Sequence, residues 1–380
     1  MGSRIDIKEI SVEMCERLLR DLEHAKRPIL EATKCTLDNA EYNSKVGYLT
    51  PGNKKVITEL NVSSVQKMSR AVFILELLLR NLEVGATNTK REIYYISKGE
   101  VKHNPSLKPL DFTDQNESDE IIDFICEMLE CYREDVNCFA NDRGGQTYSQ
   151  QLVVVETMPD GSKATIDLSK LGTAPFQPKN RPQDLKLKAK RKIDFCMIVE
   201  SEGTANTMVN SGFTRRHPCI LLGAQGVPSN AVRGWTKLIQ DQLDIPCYFF
   251  GDLDAYTMQN IFRTLKAGSA GSLIRNADFS APEVRFLGVL PEDIKKYDLP
   301  DYAVKENDVS EGRALKKARD ALDNDPFFKD KKNKGVSDIL HWLLKNKRRC
   351  EQQAYFSVNP RDPLMPEKII IDKIKNKNYV

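Results

Sequence analysis

Hydrophobic residues change rhythm several times along the chain, and each change predicts a different element. In the first 60 residues, Ile10, Met14, Leu18, Leu19 and Leu22 suggest an amphipathic helix. The polar stretch that follows, through Pro51-Gly52-Asn53, reads as an extension or interaction arm. From Asn61 the helical period is clear: Val65, Met68, Val72, Leu75 and Leu79 recur on one face, and Gly85 stands where that helix would stop. Residues 89–98 predict a second helix, with Thr89 and Glu92 at capping-box spacing and Gly99 as its C-terminal stop. A third begins near Ser118, carries Asp119 and Glu120 in its first turn and buries Ile121, Ile122, Ile125, Met128 and Leu129.

Beyond the third helix, VNCFA (136–140), a turn at Asp142-Arg143-Gly144-Gly145 and QLVVVE (151–156) predict a β-hairpin. Three helices and a two-stranded wing make a winged helix-turn-helix, a fold suited to duplex DNA. Residues 157–192, polar and rich in Pro, Gly and Lys, read as a connection. The rhythm then becomes that of a parallel sheet. Apolar runs at 193–200, 218–226 and 245–254 alternate with helical stretches around 204–211, 229–243 and 255–267. The expected organisation is an arm (1–60), a winged-helix domain (61–157), a linker (158–192) and an α/β domain with a C-terminal extension (193–380), so the fold class is α/β plus α+β.

The chain has 380 residues, which suits two or three domains at roughly 100 to 200 residues each. Hydrophobic content of 40% with 29% charged residues describes a globular protein, and no apolar run approaches the ~18 residues needed to span a bilayer. The start has no apolar signal core, so an intracellular address is expected. Nine cysteines without a C-x-x-C pair read as reduced core thiols rather than a zinc site or disulfide framework. A net charge of +3 says little about partners, but positive charge is concentrated at 185–192, 329–334, 345–349 and the C-terminal tail.

Two constellations carry candidate chemistry. Glu200 closes the first apolar strand, and Asp252 and Asp254 close the third, where ligands of open α/β sheets gather. Carboxylates converging there repel one another unless a cation joins them, and hard oxygen ligands favour magnesium. A D-x-D alone is common in turns; Glu200 on a neighbouring strand is what makes a metal site worth proposing, and the arrangement resembles the Toprim domain of topoisomerases and primases. The second constellation is KREIYY (90–95). Ile93 and Ile96 define the buried face of the helix, while Arg91, Tyr94, Tyr95 and Lys98 cluster opposite. Helix-surface tyrosines often simply pack a neighbour. A phenol could also attack phosphorus, with an arginine stabilising the phosphate. At an ordinary pKa near 10, only about one phenol in a thousand is ionised at pH 7, a deficit of roughly 4 kcal/mol that a cationic site would have to offset. Tyr94 and Tyr95 lie three and four residues after Arg91 and diverge similarly from the apolar face, so spacing does not choose between them.

KREIYY in a winged-helix setting, followed by the Toprim-like glutamate and Asp-x-Asp, resembles the A subunits of DNA topoisomerase VI and the related meiotic double-strand-break transesterases. The likeness covers about residues 55–375 and includes GDLDAYTMQNIFRTLKAGS (251–269), FLGVLPED (286–293), EQQA (351–354) and PEKI (366–369), the last segments favouring the archaeal-type enzyme. The chain departs from the family pattern at Ala255-Tyr256-Thr257 and at Gly226-Val227-Pro228-Ser229. The resemblance implies a catabolite-activator-like winged helix before a Toprim domain. It makes Tyr95 the nucleophile, forming a 5′-phosphotyrosyl bond, with Arg91 stabilising charge and Glu200, Asp252 and Asp254 holding Mg2+. Lys90, Lys98, Arg143 and Arg233 are expected DNA contacts. The implied assembly is a homodimer that forms a heterotetramer with a GHKL-type ATPase B subunit, in the cytoplasm with the nucleoid, or in the nucleus if eukaryotic. No G-x-x-x-x-G-K-[ST] occurs, so ATP would be handled by that partner. A break-maker that does not relax supercoils and a non-catalytic DNA-binding scaffold are the alternatives.

Overall fold

The computed structural model describes residues 7–139, 144–158, 161–179, 185–306 and 309–380. The chain divides into two compact units: Met1–Asn39 with Pro51–Asn141, and Ala40–Thr50 with Asp142–Val380. The N-terminal region runs α1 (Ile7–Glu23), β1 (Ile29–Thr33), β2 (Ala40–Asn43), β3 (Tyr48–Pro51) and β4 (Lys55–Glu59). It is therefore shared between the units and is no free arm.

In the first unit, β1 and β4 pair antiparallel, with Ala32 opposite Val56. The helices α2 (Val65–Val84), α3 (Lys90–His103) and α4 (Gln115–Met128) surround a core that includes Ile74, Leu78, Ile93, Ile122 and Ile125. Helix α2 stops at Gly85, whose φ of 67 lets its amide reach back to the carbonyls of the last turn. Helix α3 does not stop at Gly99. It continues to His103 because Val101 is buried and Glu100 binds Arg80 at 2.6 Å, which outweighs the modest cost of a helical glycine. Helix α1 also departs from expectation: Ile7, Ser11, Met14 and Leu18 form its buried face, leaving Ile10, Leu19 and Leu22 exposed.

The expected wing is not formed. Strand β5 (Asn88–Thr89) pairs in parallel with β6 (Cys138–Phe139), so the VNCFA segment is tied to the start of α3. QLVVVE supplies β8 (Leu152–Thr157), which lies in the second unit between β9 (Lys163–Asp167) and β10 (Leu185–Ala189) in an antiparallel sheet. Its alternating valines find their partners in the region expected to be a linker. That region carries Leu168, Leu185 and Leu187 into the core, and in β10 the lysines simply occupy the exposed face of an alternating strand.

The second unit is built on a five-stranded sheet in the order β14-β13-β11-β12-β7, composed of β7 (Gln146–Ser149), β11 (Phe195–Val199), β12 (Cys219–Gly223), β13 (Cys247–Phe250) and β14 (Arg285–Gly288). The last four are mutually parallel and β7 is an antiparallel edge. Helices α5 (Glu202–Asn210), α6 (Phe213–Arg216) and α7 (Asn230–Leu243) follow β11 and β12. The β11, β12 and β13 side chains are buried throughout, which explains their unbroken apolar runs. All nine cysteines are free thiols. The β2–β3 hairpin joins this unit: Tyr42 packs edge-on against Phe327, Leu49 is wholly buried, and Asn276 donates to the Leu49 carbonyl at 3.0 Å. Gly47 turns the hairpin at φ 81, and a Cβ there would fall 2.5 Å from Pro282.

Candidate active site

The tyrosine pair is set by the start of α3. Thr89 caps the helix: its hydroxyl accepts from the Glu92 amide at 3.2 Å, and the Glu92 carboxylate accepts from the Thr89 amide at 2.7 Å. Ile93 is buried below, which points its neighbours outward. The two phenols then part company. Tyr94 is half-buried against the core with Lys98 over its ring at 5.9 Å, whereas Tyr95 is 60% exposed with the Arg91 guanidinium 5.9 Å from its ring centroid. Tyr95, Arg91, Lys90, Thr89, Glu92, Arg133 and Phe139 line one depression of about 560 Å3.

The other cations expected to meet DNA are placed differently. Lys90 donates to Asp123 at 2.7 Å and to the Asp119 carbonyl at 3.3 Å, and Lys98 to Asp111 at 2.7 Å and the Phe112 carbonyl at 2.9 Å. Both are anchored on their own unit. Arg233 is only 3% exposed: it donates to the Phe279 carbonyl at 2.9 Å and to Asn276 at 3.3 Å, and burial pushes its pKa down to about 9. Its guanidinium is spent inside the fold rather than offered to a duplex. Arg143 lies outside the described residues.

The acids occupy the second unit. Strand order places β12 on one side of β11 and β13 on the other, so successive crossovers leave β11 in opposite directions and open a crevice at the strand ends. Glu200 follows β11, and Asp252 and Asp254 follow β13. The Glu200 carboxylate accepts from the Asp252 amide at 3.1 Å and from the Thr257 hydroxyl at 3.1 and 3.0 Å. Asp252 accepts from the Gln352 amide at 2.8 Å, and Asp254 caps the helical stretch after it by accepting from the Thr257 amide at 2.6 Å. Gly251 leaves room for this approach, since a Cβ there would lie 2.5 Å from the Glu200 carboxylate.

The loop is braced from below. The Gly251 amide donates to the Gly288 carbonyl at 2.8 Å, and the Val289 amide donates back to the Gly251 carbonyl at 2.7 Å. Leu290, next along, donates from its amide to Asp293 at 2.7 Å. Asp293 is wholly buried and also binds Lys373 and, at 2.6 Å, the Tyr355 hydroxyl. Tyr355 and Gln352 share one short 3-10 helix, Gln352–Ser357, so a single element touches both the buried ion pair and Asp252.

Burial and the neighbouring acid Asp252 push Glu200 up to about 8, and burial with Asp254 pushes Asp252 up to about 6. None of the three acids makes an ion pair among the described residues. Nor do any three Asp, Glu, His or Cys side chains close a metal cage by themselves among those residues. The acids are turned instead to amide and hydroxyl donors. A cluster of hard oxygens in which burial raises Glu200 and Asp252 suits a divalent cation that keeps part of its water shell.

Comparison with known proteins decides the family. The model for the Toprim domain shared by Spo11 and the topoisomerase 6 A subunit matches residues 195–369, and that for type IIB DNA topoisomerase matches residues 66–138. The A subunit of type 2 DNA topoisomerase 6 from Methanocaldococcus jannaschii is 31% identical over 95% of this chain and 94% of its own length. The chain belongs to this family. The corresponding protein of Natronomonas pharaonis is 26% identical over 92% of the chain and 90% of its own, and the DNA topoisomerase 6 A subunit of Arabidopsis thaliana is 29% identical over 78% and 64%. This chain is thus a type IIB topoisomerase enzyme in the DNA-cleaving role. Its Toprim domain is the metal-binding kind of α/β domain.

Three residues at these sites escaped the sequence reading. Thr257 stands three residues after Asp254, the spacing of a capped helix start, and could have been found by it. Gln352 acts through its backbone amide, so its side-chain type carries no signal. Arg133 reaches the tyrosine depression only because β6 pairs with β5, and nothing local announces that pairing.

Proposed function

We propose that Tyr95 is the nucleophile that cuts one strand of duplex DNA. Its phenolic oxygen attacks a backbone phosphorus as the phenol gives up its proton. The bond from phosphorus to the 3′ oxygen breaks, that oxygen takes a proton, and a 5′-phosphotyrosyl link remains. Reversal exchanges the same two bonds and reseals the strand with no external energy for the chemistry. The observation that carries the assignment is the divergence of the pair: Tyr95 is the exposed ring beside Arg91, while Tyr94 packs inward beside Lys98, which Asp111 already holds. Arg91 stabilises charge on the attacked phosphate.

Glu200, Asp252 and Asp254 are the residues that would hold Mg2+, and the ion would supply charge stabilisation at the scissile phosphate. Thr257 and the Asp252 and Gln352 amides keep the carboxylates oriented meanwhile. The first unit, four helices with the β1–β4 ribbon, serves as the helix-turn-helix module that meets the duplex. Two copies act together, the tyrosine of one protomer serving the acids of the other, and a GHKL-type ATPase B subunit completes a heterotetramer in the compartment that holds the DNA. Among the described residues, no helix is long and apolar enough to cross a membrane.

The test is to trap the covalent adduct with labelled DNA, Mg2+ and a B subunit under denaturing conditions. Tyr95→Phe should abolish the adduct and keep DNA binding, while Tyr94→Phe should keep both. An adduct lost only with Tyr94→Phe reverses the assignment.

A further inference from the structure

The depression around Tyr95 holds a second guanidinium that the cleavage reaction as described does not use. Arg133 opens the short 3-10 helix Arg133–Val136, which ends at Asn137 in a left-handed turn with φ 54. The Asn88 amide donates to the Asn137 carbonyl at 3.0 Å, and the β5–β6 pairing sets Thr89 opposite Phe139. These bonds fix the Arg133 turn against the first residues of α3, where Arg91 and Tyr95 project.

The charges around this depression are not balanced. Lys90 is paired with Asp123, and Glu92 is turned back onto the Thr89 amide. Neither the Arg91 nor the Arg133 guanidinium has a hydrogen bond or ion pair with another described residue, although Arg91 lies over the Tyr95 ring. Two forked donors therefore face a shared concavity whose one carboxylate is already engaged, and Phe139 supplies its apolar wall. A guanidinium presents a planar fork of donors that matches phosphate oxygens, and it carries its charge at every physiological pH.

We infer that Arg133 binds a phosphodiester of the cleaved strand next to the scissile one, so that Arg91 and Arg133 hold successive parts of one backbone across Tyr95. This rests on Tyr95 as nucleophile. In it Arg91 serves the phosphate that reacts, and Arg133 fixes the register of the strand, which governs which linkage comes to the phenol.

The experiment uses the full chain with duplex DNA and a B subunit, comparing wild type, Arg133→Gln and Arg133→Lys. Each phosphate neutralised on duplex DNA contributes about 0.9 to the slope of log affinity against log salt. Arg133→Gln should lower that slope by about 0.9 per protomer engaged and raise the DNA concentration for half-maximal cleavage about tenfold, with cleavage at saturating DNA changed less than about threefold. Arg133→Lys should restore the slope, which repair of a merely structural defect would not do. Wild-type slope and half-saturation in Arg133→Gln would overturn the inference.

Single neutral methylphosphonate linkages scanned along the cleaved strand give a second measurement that needs no variant to fold. One linkage beside the scissile position should weaken wild-type cleavage about tenfold, the size of one charge-assisted contact. A scan with no sensitive linkage there also overturns the inference. The Tyr95→Phe adduct assay run in parallel separates the two readings: an adduct that persists removes the nucleophile assignment, whereas an adduct lost with an unaltered Arg133 slope removes only this one.

Discussion

Thr257 is the residue on which the acidic site turns, because its hydroxyl and amide hold Glu200 and Asp254 at once. Thr257→Val removes the hydroxyl from Glu200 with little change in shape. Groups that orient metal-binding carboxylates typically matter by about 10- to 100-fold in affinity. The Mg2+ concentration for half-maximal cleavage should rise by about that factor, with cleavage recovered at high Mg2+ and with Thr257→Ser close to wild type. Glu200 makes a separate prediction about pH. Its pKa is 4.5 ordinarily and about 8 in the metal-free fold, so the folded unit holds more protons than the unfolded chain between those values. Stability that is fully present below about pH 4.5 is lost as the pH rises towards 8, and Asp252 adds the same sign up to about 6. Melting in chelator should therefore fall from pH 5 to pH 8, and Mg2+ should raise it more at pH 8 than at pH 6. Glu200→Gln should melt higher than wild type in chelator at pH 8 and should no longer respond to Mg2+. A flat profile would mean that the carboxylate is well solvated.

At the scale of elements, α3 is both the carrier of the tyrosine and an element whose ends test how local signals work. Thr89→Ala removes half of the capping box, a change of about 1 kcal/mol, and loosens the turn that presents Arg91. Chemical denaturation should register the loss, and cleavage should drop with it. Gly99→Ala should do the reverse. No atom lies within 4 Å of the added Cβ and the backbone is helical, so stability should rise by roughly 0.5–1 kcal/mol. These two positions also show what could be read in advance. The α2 stop at Gly85 and the Thr89–Glu92 cap depend on neighbours within a few residues, and both were legible. Gly99 resembled a stop equally well, but Val101 burial and the Glu100–Arg80 pair lie beyond a local reading. The β strands divide the same way. Runs buried on both faces at β11, β12 and β13 declared themselves, whereas QLVVVE alternates like a wing strand and reveals only through its partners that it belongs to another sheet. The placement of the acids was legible because strand ends follow from topology, while the brace beneath them, Asp293 with Lys373, joins residues 80 apart. Lys373→Met should cost about 3–5 kcal/mol by leaving Asp293 buried and unpaired, with the double change Asp293→Leu/Lys373→Met milder than the single one.

For the molecule as a whole, the main revision concerns its first 60 residues. Residues 7–39 and 51–60 complete the first unit through α1 and the β1–β4 ribbon, and the β2–β3 hairpin completes the second. Removing residues 1–60 should therefore damage both units, and the truncated chain should be insoluble or lack cooperative unfolding rather than behave as a trimmed enzyme. A point change isolates the hairpin: Leu49→Ala should destabilise the second unit by about 2–5 kcal/mol, read from its own unfolding transition. The hairpin also imposes an order on biosynthesis. Ser44 accepts from Lys332, 288 positions later, and Tyr42 waits for Phe327. At about 5–20 residues per second a nascent chain exposes Tyr42 for roughly 15 to 60 s before Phe327 leaves the ribosome. During that interval the flanking segments are free to close the first unit, so the growing polypeptide carries an apolar loop that stays uncovered until translation is nearly done.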